Sequence, residues 1–404
     1  MSSRSLARDQ SLLYGSAFVR AFATGMLGVL MGVQLARQGF DASHIGVIVA
    51  AGLAGAAGAS VVATFGADRI GRRRLLVLLA VLGAIGAVGL ASASHFPMAL
   101  AAATFGMING MGRDRGAALI LEQAILPALT TDATRTRAFA VYNVWQDAGH
   151  ALGGLAAGIP VLLAAHTSLN EAAAGRVMVL VYAPLLLAAL PLYAMLSPAV
   201  EVARRPSRRA LDPQTRKLLW RISSLFALDS LGGGFLTTAL IGYFFFRRFG
   251  VGEGTIALLF FAARVMNAMS HFGAAWLAKR IGLVNTMVFT HIPSSLLLVT
   301  VGMAPSFMVA AILFVLREGL VEMDVPTRQS YVMAVVPPED RTLASGVTGL
   351  VRTAAWAVAP GFAGWIMQHV AFAIPLYTGA SMKIMYDILL WRAFRGVKPP
   401  EEQT

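Results

Sequence analysis

The sequence lacks cysteine and is poor in charged residues. Because none of the 404 residues is cysteine, the chain forms no disulfide and no thiolate metal site. Charged residues make up only 13%, against about 25% in soluble globular proteins, while hydrophobic residues reach 57%. Acidic residues are also few, 20 against 33 Lys and Arg, so the net charge is +13. These shortages exclude most classes of soluble enzyme and predict a membrane protein.

Long apolar runs between charged breaks fill most of the chain. Such runs predict transmembrane α-helices, because a helix needs about 20 apolar residues to cross the hydrocarbon core. The fold class expected is an all-α polytopic membrane protein. The breaks predict twelve spans, at 10–33, 42–65, 75–94, 98–122, 138–165, 174–196, 218–246, 254–277, 284–304, 306–330, 342–368 and 371–391.

A charged, proline-containing stretch divides these spans into two sets of six. We predict an N-terminal half at 1–196, a linker at 197–217 and a C-terminal half at 218–404. The two halves also repeat each other. A shift of 211 residues places Arg69-Ile70-Gly71 on Arg280-Ile281-Gly282, and a shift of 206 places Gln123 on Gln329. Parallel repeats of this kind are typical of transporters and indicate two pseudo-symmetric six-helix halves.

Basic residues are distributed unevenly between the two sides of the predicted spans. The N-terminus, the even loops and the tail hold 21 Lys and Arg, whereas the odd loops hold four. Because basic residues concentrate on the cytoplasmic side, both termini are expected to be cytoplasmic, in a bacterial inner membrane. The positive net charge is therefore explained by the orientation of the helices in the membrane, and no nucleic-acid partner is expected.

The turn between spans two and three carries a specific motif. It reads Gly66-Ala67-Asp68-Arg69-Ile70-Gly71-Arg72-Arg73-Arg74. The stretch resembles the loop motif of the major facilitator superfamily at Asp68, Arg69, Gly71, Arg72 and Arg73, although Thr64 stands where the family has its leading glycine. The resemblance implies that this loop caps neighbouring helix ends through helix-dipole contacts and helps to hold one conformation.

Span five carries a second, incomplete motif. Gly149, Gly153 and Gly158 have the spacing of the glycine motif associated with antiporters, but Gly154 occupies the proline position. The resemblance favours export, but the missing proline weakens that inference, and close helix packing is the preferred explanation of the glycines.

Sixteen charged residues, eight basic and eight acidic, fall inside the predicted spans. Each is costly within a bilayer and marks a functional site unless it is paired. The resemblance implies that spans one, four, seven and ten line the central cavity. Those spans supply the candidate substrate-binding or coupling residues Arg20, Arg113, Asp114, Arg115, Glu122, Asp229, Arg317, Glu318, Glu322 and Asp324.

Span ten separates its charges into two helical stripes. Arg317, Asp324 and Arg328 share one face, where they can neutralise one another. Glu318 and Glu322 form the other stripe with no cation on it, which would raise the pKa of at least one of them and suit proton coupling. The alternative is that Arg264 or Arg352, on a neighbouring helix, pairs with these carboxylates.

Three smaller expectations concern spans one, seven and twelve. Arg20 and Asp229 have no charged neighbour on their own helices, so each needs a substrate or an interhelical ion pair. The run 232–234 of three glycines predicts a bend in span seven. Lys383 and Asp387 have the i,i+4 spacing of a self-contained ion pair.

The remaining sequence predicts neither a metal site nor a cofactor. The seven His are scattered, and no phosphate-binding Gly-Lys-Ser/Thr loop is present. We predict a monomeric, non-enzymatic secondary transporter that exports a small solute by alternating access, with protons and the lipid bilayer as its other partners. The alternatives are an importer or uniporter of an anionic metabolite, and a transporter-like sensor or assembly protein that binds without transport.

Overall fold

The protein is built from α-helices joined by short turns. A computed structural model describes residues 3–130, 132–201, 212–324, 327–328, 331, 336 and 341–395. Within those ranges there is no β-strand. The all-α prediction is therefore confirmed. Part of the predicted linker and Pro326, where the sequence predicts a kink in span ten, lie outside the described residues.

Sixteen α-helices have described bounds, and several of them share one predicted span. They are α1 (Ser3–Arg37), α2 (Ala42–Ile70), α3 (Arg72–Ala91), α4 (Phe96–Gly106), α5 (Ala117–Ile125), α6 (Asp132–Ala156), α7 (Ile159–His166), α8 (Glu171–Leu187), α9 (Ala189–Ala194), α10 (Pro213–Gly234), α11 (Thr238–Phe249), α12 (Glu253–Ile281), α13 (Leu283–Met303), α14 (Phe307–Val321), α15 (Arg341–His369) and α16 (Ile374–Phe394). Two short 3-10 turns follow α5 and α9, at Leu126–Leu129 and Pro198–Glu201.

Apolar length identifies the helices that can cross a membrane by themselves. In the described part of the chain, seven helical stretches are long and apolar enough to do so. They are Leu6–Arg37, Ala42–Ala67, Arg72–Ala91, Val141–His166, Glu171–Ala194, Pro213–Phe249 and Leu283–Met303. Among the other predicted spans, span four is interrupted between α4 and α5, and span ten carries five charged residues in its sequence.

Two spans are broken near their middle, and glycine explains both breaks. In span seven, α10 ends at Gly234 and α11 begins after Thr237, whose hydroxyl accepts a hydrogen bond from the Leu240 amide. This confirms the predicted bend. In span four the chain leaves the helix between α4 and α5, beginning at Met107, which has left-handed φ 54°. Four glycines within 106–116 make a continuous helix unfavourable there.

The chain packs into two compact units, each with its own apolar core. One unit contains residues 1–206 and 237–261, and the other contains 207–236 and 262–404. Residues 237–261 follow the predicted linker in sequence but pack with the first unit. The division into sequence halves at 197–217 stays a prediction.

Glycines bring α6 against α1 within the first unit. A Cβ at Gly149 would lie 2.6 Å from the Phe18 carbonyl oxygen, and one at Gly153 would collide with the Phe22 carbonyl oxygen. Small residues permit this close approach of two helix backbones. The glycine spacing of span five is thus used for helix packing.

Candidate functional site

Arg20 organises a buried polar cluster in the first unit, which we call the Arg20 cluster: Arg20, Asp114, Glu122 and Tyr193. The guanidinium forms ion pairs with both carboxylates, reaching Glu122 through Nη1 at 2.6 Å and Nη2 at 2.9 Å. Nη1 also donates to the Tyr193 hydroxyl at 2.6 Å. One cation from span one therefore joins two acids from span four.

Glu122 is the more completely bonded of the two acids. It is fully buried, and besides Arg20 it accepts hydrogen bonds from the hydroxyls of Ser16 at 2.8 Å, Tyr142 at 2.6 Å and Tyr193 at 2.8 Å. All these groups act as donors towards it. Since an ionised carboxylate is an acceptor only, this environment suits the charged form of Glu122.

Asp114 lies in the non-helical part of span four, beside a cavity of about 60 Å³. One of its oxygens meets Arg20, and the other accepts the Gly116 amide at 3.1 Å. A cavity of this volume has room for a few water molecules, since the centre of each needs about 10 to 15 Å³ of such space. Its polar wall consists of Arg20, Thr24, Asn109, Asp114, Tyr182 and Tyr193.

The non-helical segment 107–116 gains backbone partners from α11. The Ala239 amide donates to the Gly110 carbonyl at 2.9 Å, and the Thr238 hydroxyl donates to the Met111 carbonyl at 2.8 Å. These bonds matter because irregular backbone survives at membrane depth only where protein or water satisfies it. These hydrogen bonds therefore attach the non-helical segment of span four to the first turn of α11, within one compact unit.

Asp229 forms the centre of a second cluster in the other unit, which we call the Asp229 cluster: Asp229, Arg328, Arg352 and Lys383. Lys383 Nζ lies 2.9 Å from Oδ1, whereas Oδ2 faces Arg328 at 3.3 Å and Arg352 at 3.8 Å. Arg328 also binds Asp324 at 2.5 Å, the intrahelical pair expected for span ten. Asp229 thus finds its partners on three other predicted spans.

The expected self-contained Lys383–Asp387 pair is wrong. Lys383 binds Asp229 and lies 3.4 Å from His291 Nε2, while His291 Nδ1 lies 3.0 Å from both oxygens of Asp387. Both side chains therefore use interhelical partners. The i,i+4 spacing permits an ion pair within the helix. Here each side chain instead bonds to a partner on a neighbouring packed helix.

Comparison with known proteins identifies the family. The model of the Major Facilitator Superfamily matches residues 13–360. The chain belongs to the major facilitator superfamily. It is 26% identical to the uncharacterized membrane protein YJR124C of Saccharomyces cerevisiae, over 97% of this chain and 95% of that protein.

Solved structures of the superfamily share the fold. The nucleoside transporter NupG has a TM-score of 0.72 at 15% identity, and the match covers 96% of this chain and 98% of that one. A D-xylose-proton symporter has a TM-score of 0.73 at 16% identity, covering 94% of this chain and 97% of its own. The chain is therefore an integral membrane secondary transporter with the fold that works by alternating access.

In this transporter Glu318 of span ten is not isolated from cations. The guanidinium of Arg317 pairs with Glu318, whose other oxygen accepts the Asn267 side-chain amide at 2.9 Å. The expectation that no cation faces Glu318 is therefore wrong. The long Arg317 side chain reaches around the helix to the adjacent residue, which a projection of Cα positions does not show. The coupling role of Glu322 stays a prediction.

The superfamily loop motif lies at a one-residue turn between α2 and α3. Gly71 adopts φ 95°, and the Glu201 carboxylate accepts the backbone amides of Arg72 at 2.7 Å and Arg73 at 3.0 Å. The Arg73 side chain donates to the Leu196 carbonyl at 3.1 Å. Helix ends are thus capped by charge here, whereas the side chain of Asp68 lies outside the described part and Arg69 is exposed.

Sequence reasoning found the charges of both clusters but missed most of their neutral partners. Tyr142, Tyr193 and Ser16 stand in apolar helices with no pattern that marks them as ligands of Glu122. His291 was one of seven scattered histidines. Arg113 and Arg115 flank Asp114 in the non-helical segment, where helical directions do not apply.

Proposed function

We propose that this transporter couples proton movement to the export of a small organic solute, with Asp114 as the residue that takes up and releases the proton. The observation that carries the proposal is the ratio of charges in the Arg20 cluster. One buried guanidinium faces two carboxylates, so the cluster has one negative charge too many when both are ionised. A proton on one carboxylate restores neutrality at low cost in a poorly solvated environment.

The hydrogen bonds favour Asp114 over Glu122 as the proton acceptor. Glu122 accepts from Arg20 and from three hydroxyls and has no exposed surface, whereas Asp114 accepts from Arg20 and the Gly116 amide and borders the cavity. A proton can reach Asp114 through water in that cavity. Glu122 then remains the permanent counter-ion of Arg20.

Protonation of Asp114 has a direct structural consequence. Its ion pair with Arg20 anchors the non-helical segment 107–116, and the same segment bonds to Thr238 and Ala239 of α11. Neutralising Asp114 weakens the attachment to α1. The segment is then free to shift, which links proton binding to a change in the contact between spans four and seven.

Export is proposed from the antiporter-like glycine spacing of span five. Flux measured in vesicles of both orientations tests this direction. Solute movement driven only into right-side-out vesicles would favour an importer, and saturable binding without flux would favour a sensor.

Reconstitution with a pH-sensitive dye trapped inside liposomes tests proton coupling. Uridine, D-xylose and benzoate serve as probes, the first two because structurally similar transporters carry a nucleoside and D-xylose. The unaltered protein is expected to change internal pH when a transported probe moves. Asp114→Asn is expected to lower proton movement per solute about tenfold while solute exchange persists, because the neutral amide keeps its shape but cannot carry a proton.

Two control variants make this result specific. Glu318→Gln removes a carboxylate that has its own arginine and should leave the proton-to-solute ratio unchanged. Glu322→Gln examines the coupling role predicted for that residue. An unchanged proton-to-solute ratio in Asp114→Asn would contradict the assignment of the proton to this residue.

A further inference from the structure

Arg352 differs from the other cations of the Asp229 cluster in how it is held. Its side chain is 18% exposed, against 5% for Arg328 and 10% for Lys383. The Asp229 oxygen that it faces is 3.8 Å away, beyond hydrogen-bond distance, and is also used by Arg328 at 3.3 Å. Arg352 is therefore the member of the cluster with the weakest hold on its anion.

Neighbouring side chains nevertheless fix the orientation of the Arg352 guanidinium. Its Nε donates to the Ser230 hydroxyl at 3.2 Å, and its carbon lies 4.8 Å from the Trp356 ring centroid and 5.8 Å from that of Phe226. Aromatic faces attract a guanidinium and hold it flat. The result is a pre-oriented donor group on a side chain that is partly exposed.

We propose that Arg352 binds the carboxylate of a small organic monoanion, which is the substrate class of this transporter. The planar fork of a guanidinium matches a carboxylate through two parallel N–H···O bonds. This inference rests on the proposed function, because it names the solute that the protein moves. It differs from that function in its residue and in its unit, since Arg352 and all its named neighbours belong to residues 207–236 and 262–404.

Local charge selects a monoanion over a phosphate ester. Around Asp229 stand the three cations Arg328, Arg352 and Lys383, opposed by the three carboxylates of Asp229, Asp324 and Asp387. The charges of this group therefore balance before a ligand binds. A carboxylate ligand adds one negative charge, whereas a phosphate monoester adds about two at neutral pH and is disfavoured more strongly.

Binding of a carboxylate also changes the bonds of Asp229. Once the ligand takes Arg352, the carboxylate of Asp229 serves only Lys383 and Arg328. Both are on helices other than α10, so ligand binding tightens α10 against spans ten and twelve. Ligand binding at Arg352 therefore changes how α10 packs against the surrounding helices.

Fluorescence titration of the purified full-length protein in detergent tests the site, because Trp356 lies against the guanidinium. The probes are acetate, lactate and benzoate, each with its uncharged amide, and phenyl phosphate as a dianion. We expect a saturable response to at least one carboxylate, none to its amide, and weaker binding of phenyl phosphate. Arg352→Gln and Arg352→Lys should each weaken carboxylate binding about tenfold, the lysine because it offers a single point charge.

Matched variants separate binding from folding. Arg247→Gln makes the same change at an exposed arginine and should bind as the unaltered protein does. Ser230→Ala keeps every charge but releases Arg352 Nε, and should weaken binding about threefold by lost orientation. If Arg352→Gln fails to fold, the binding affinities of Arg352→Lys and Ser230→Ala test the site instead.

The outcomes distinguish this inference from the proposed function. Equal binding of carboxylate and amide, no saturable response to any of the three carboxylates, or undiminished binding in Arg352→Lys would overturn the monocarboxylate site. Carboxylate binding that depends on Arg352, without proton-coupled flux in liposomes, would instead contradict proton coupling alone.

Discussion

At the scale of single residues, Glu122 shows how this protein keeps a charge inside a membrane helix. Its two oxygens receive Arg20, Ser16, Tyr142 and Tyr193, so no lone pair has to face hydrocarbon. An isolated carboxylate at the centre of a bilayer costs several kcal/mol, whereas a fully bonded one can be tolerated. The tyrosine hydroxyls are therefore part of the charge site and not merely packing residues.

The two tyrosines should differ in their contribution to stability. The Tyr193 hydroxyl both donates to Glu122 at 2.8 Å and accepts from Arg20 at 2.6 Å, whereas that of Tyr142 donates to Glu122 at 2.6 Å. Tyr193→Phe is expected to lower the free energy of unfolding by about 2 to 4 kcal/mol, and Tyr142→Phe by about half of that, since a hydrogen bond to a charged group contributes about 1.5 to 3 kcal/mol. Chemical denaturation in detergent micelles measures both, and equal losses would show that the bond to Arg20 adds nothing.

The candidate residues could be predicted because charge in an apolar helix is rare, but their partners could not. Arg20, Asp114 and Glu122 were all identified in this way and meet in one cluster. The partner of Glu318 was predicted wrongly because side-chain reach, and not helical angle, decides whether Arg317 meets it. The sequence indicates Arg352 only as a partner for the acids of span ten. A single sequence does not show that Arg352 and Arg328 face the same oxygen of Asp229.

At the scale of elements, helix positions followed from hydropathy, whereas helix interruptions followed from glycine only in part. The three glycines of 232–234 predicted the bend in span seven. Span four was predicted as a continuous helix, yet 107–116 is non-helical. Its stability comes from Thr238 and Ala239, which are more than 120 residues away along the chain. Contacts of that kind are decided by tertiary packing and leave no local signal.

Adjacent glycines of α6 provide a test of the α1–α6 contact. A Cβ at Gly153 would collide with the Phe22 carbonyl oxygen, whereas one at Gly154 would meet only Val29 Cγ2 at 3.9 Å. Gly153→Ala should therefore lower stability by about 1 to 3 kcal/mol through overpacking. Gly154→Ala should leave stability unchanged or raise it by up to about 1 kcal/mol, because alanine favours helix. Thermal unfolding of the two purified variants compares them, and equal melting temperatures would mean that the contact is loose.

At the scale of the whole molecule, an ion pair recurs between equivalent spans of the two halves with its charges reversed. Arg20 of span one binds Glu122 of span four, whereas Asp229 of span seven binds Arg328 of span ten. The shift of 206 residues that matches Gln123 with Gln329 also places Glu122 on Arg328. A phenol from the last span of each set accompanies both pairs, since Tyr193 bonds Arg20 and Tyr386 lies beside Arg328. We propose that this opposite polarity gives the two clusters different ligands, a proton at Asp114 and an anion at Arg352.

Orientation in the membrane is a property of the whole chain that the absence of cysteine makes easy to measure. The excess of basic residues on one side predicts that 212–217 faces the cytoplasm and that the turn between α7 and α8 faces outward. Ser168 and Gln214 are exposed on those two segments. Because the chain contains no cysteine, Ser168→Cys and Gln214→Cys each introduce the only thiol in the protein, so no other residue is labelled. A membrane-impermeant maleimide should label Ser168→Cys in intact cells and Gln214→Cys only after permeabilisation. The reverse pattern would place both termini outside and invert the direction assigned to transport.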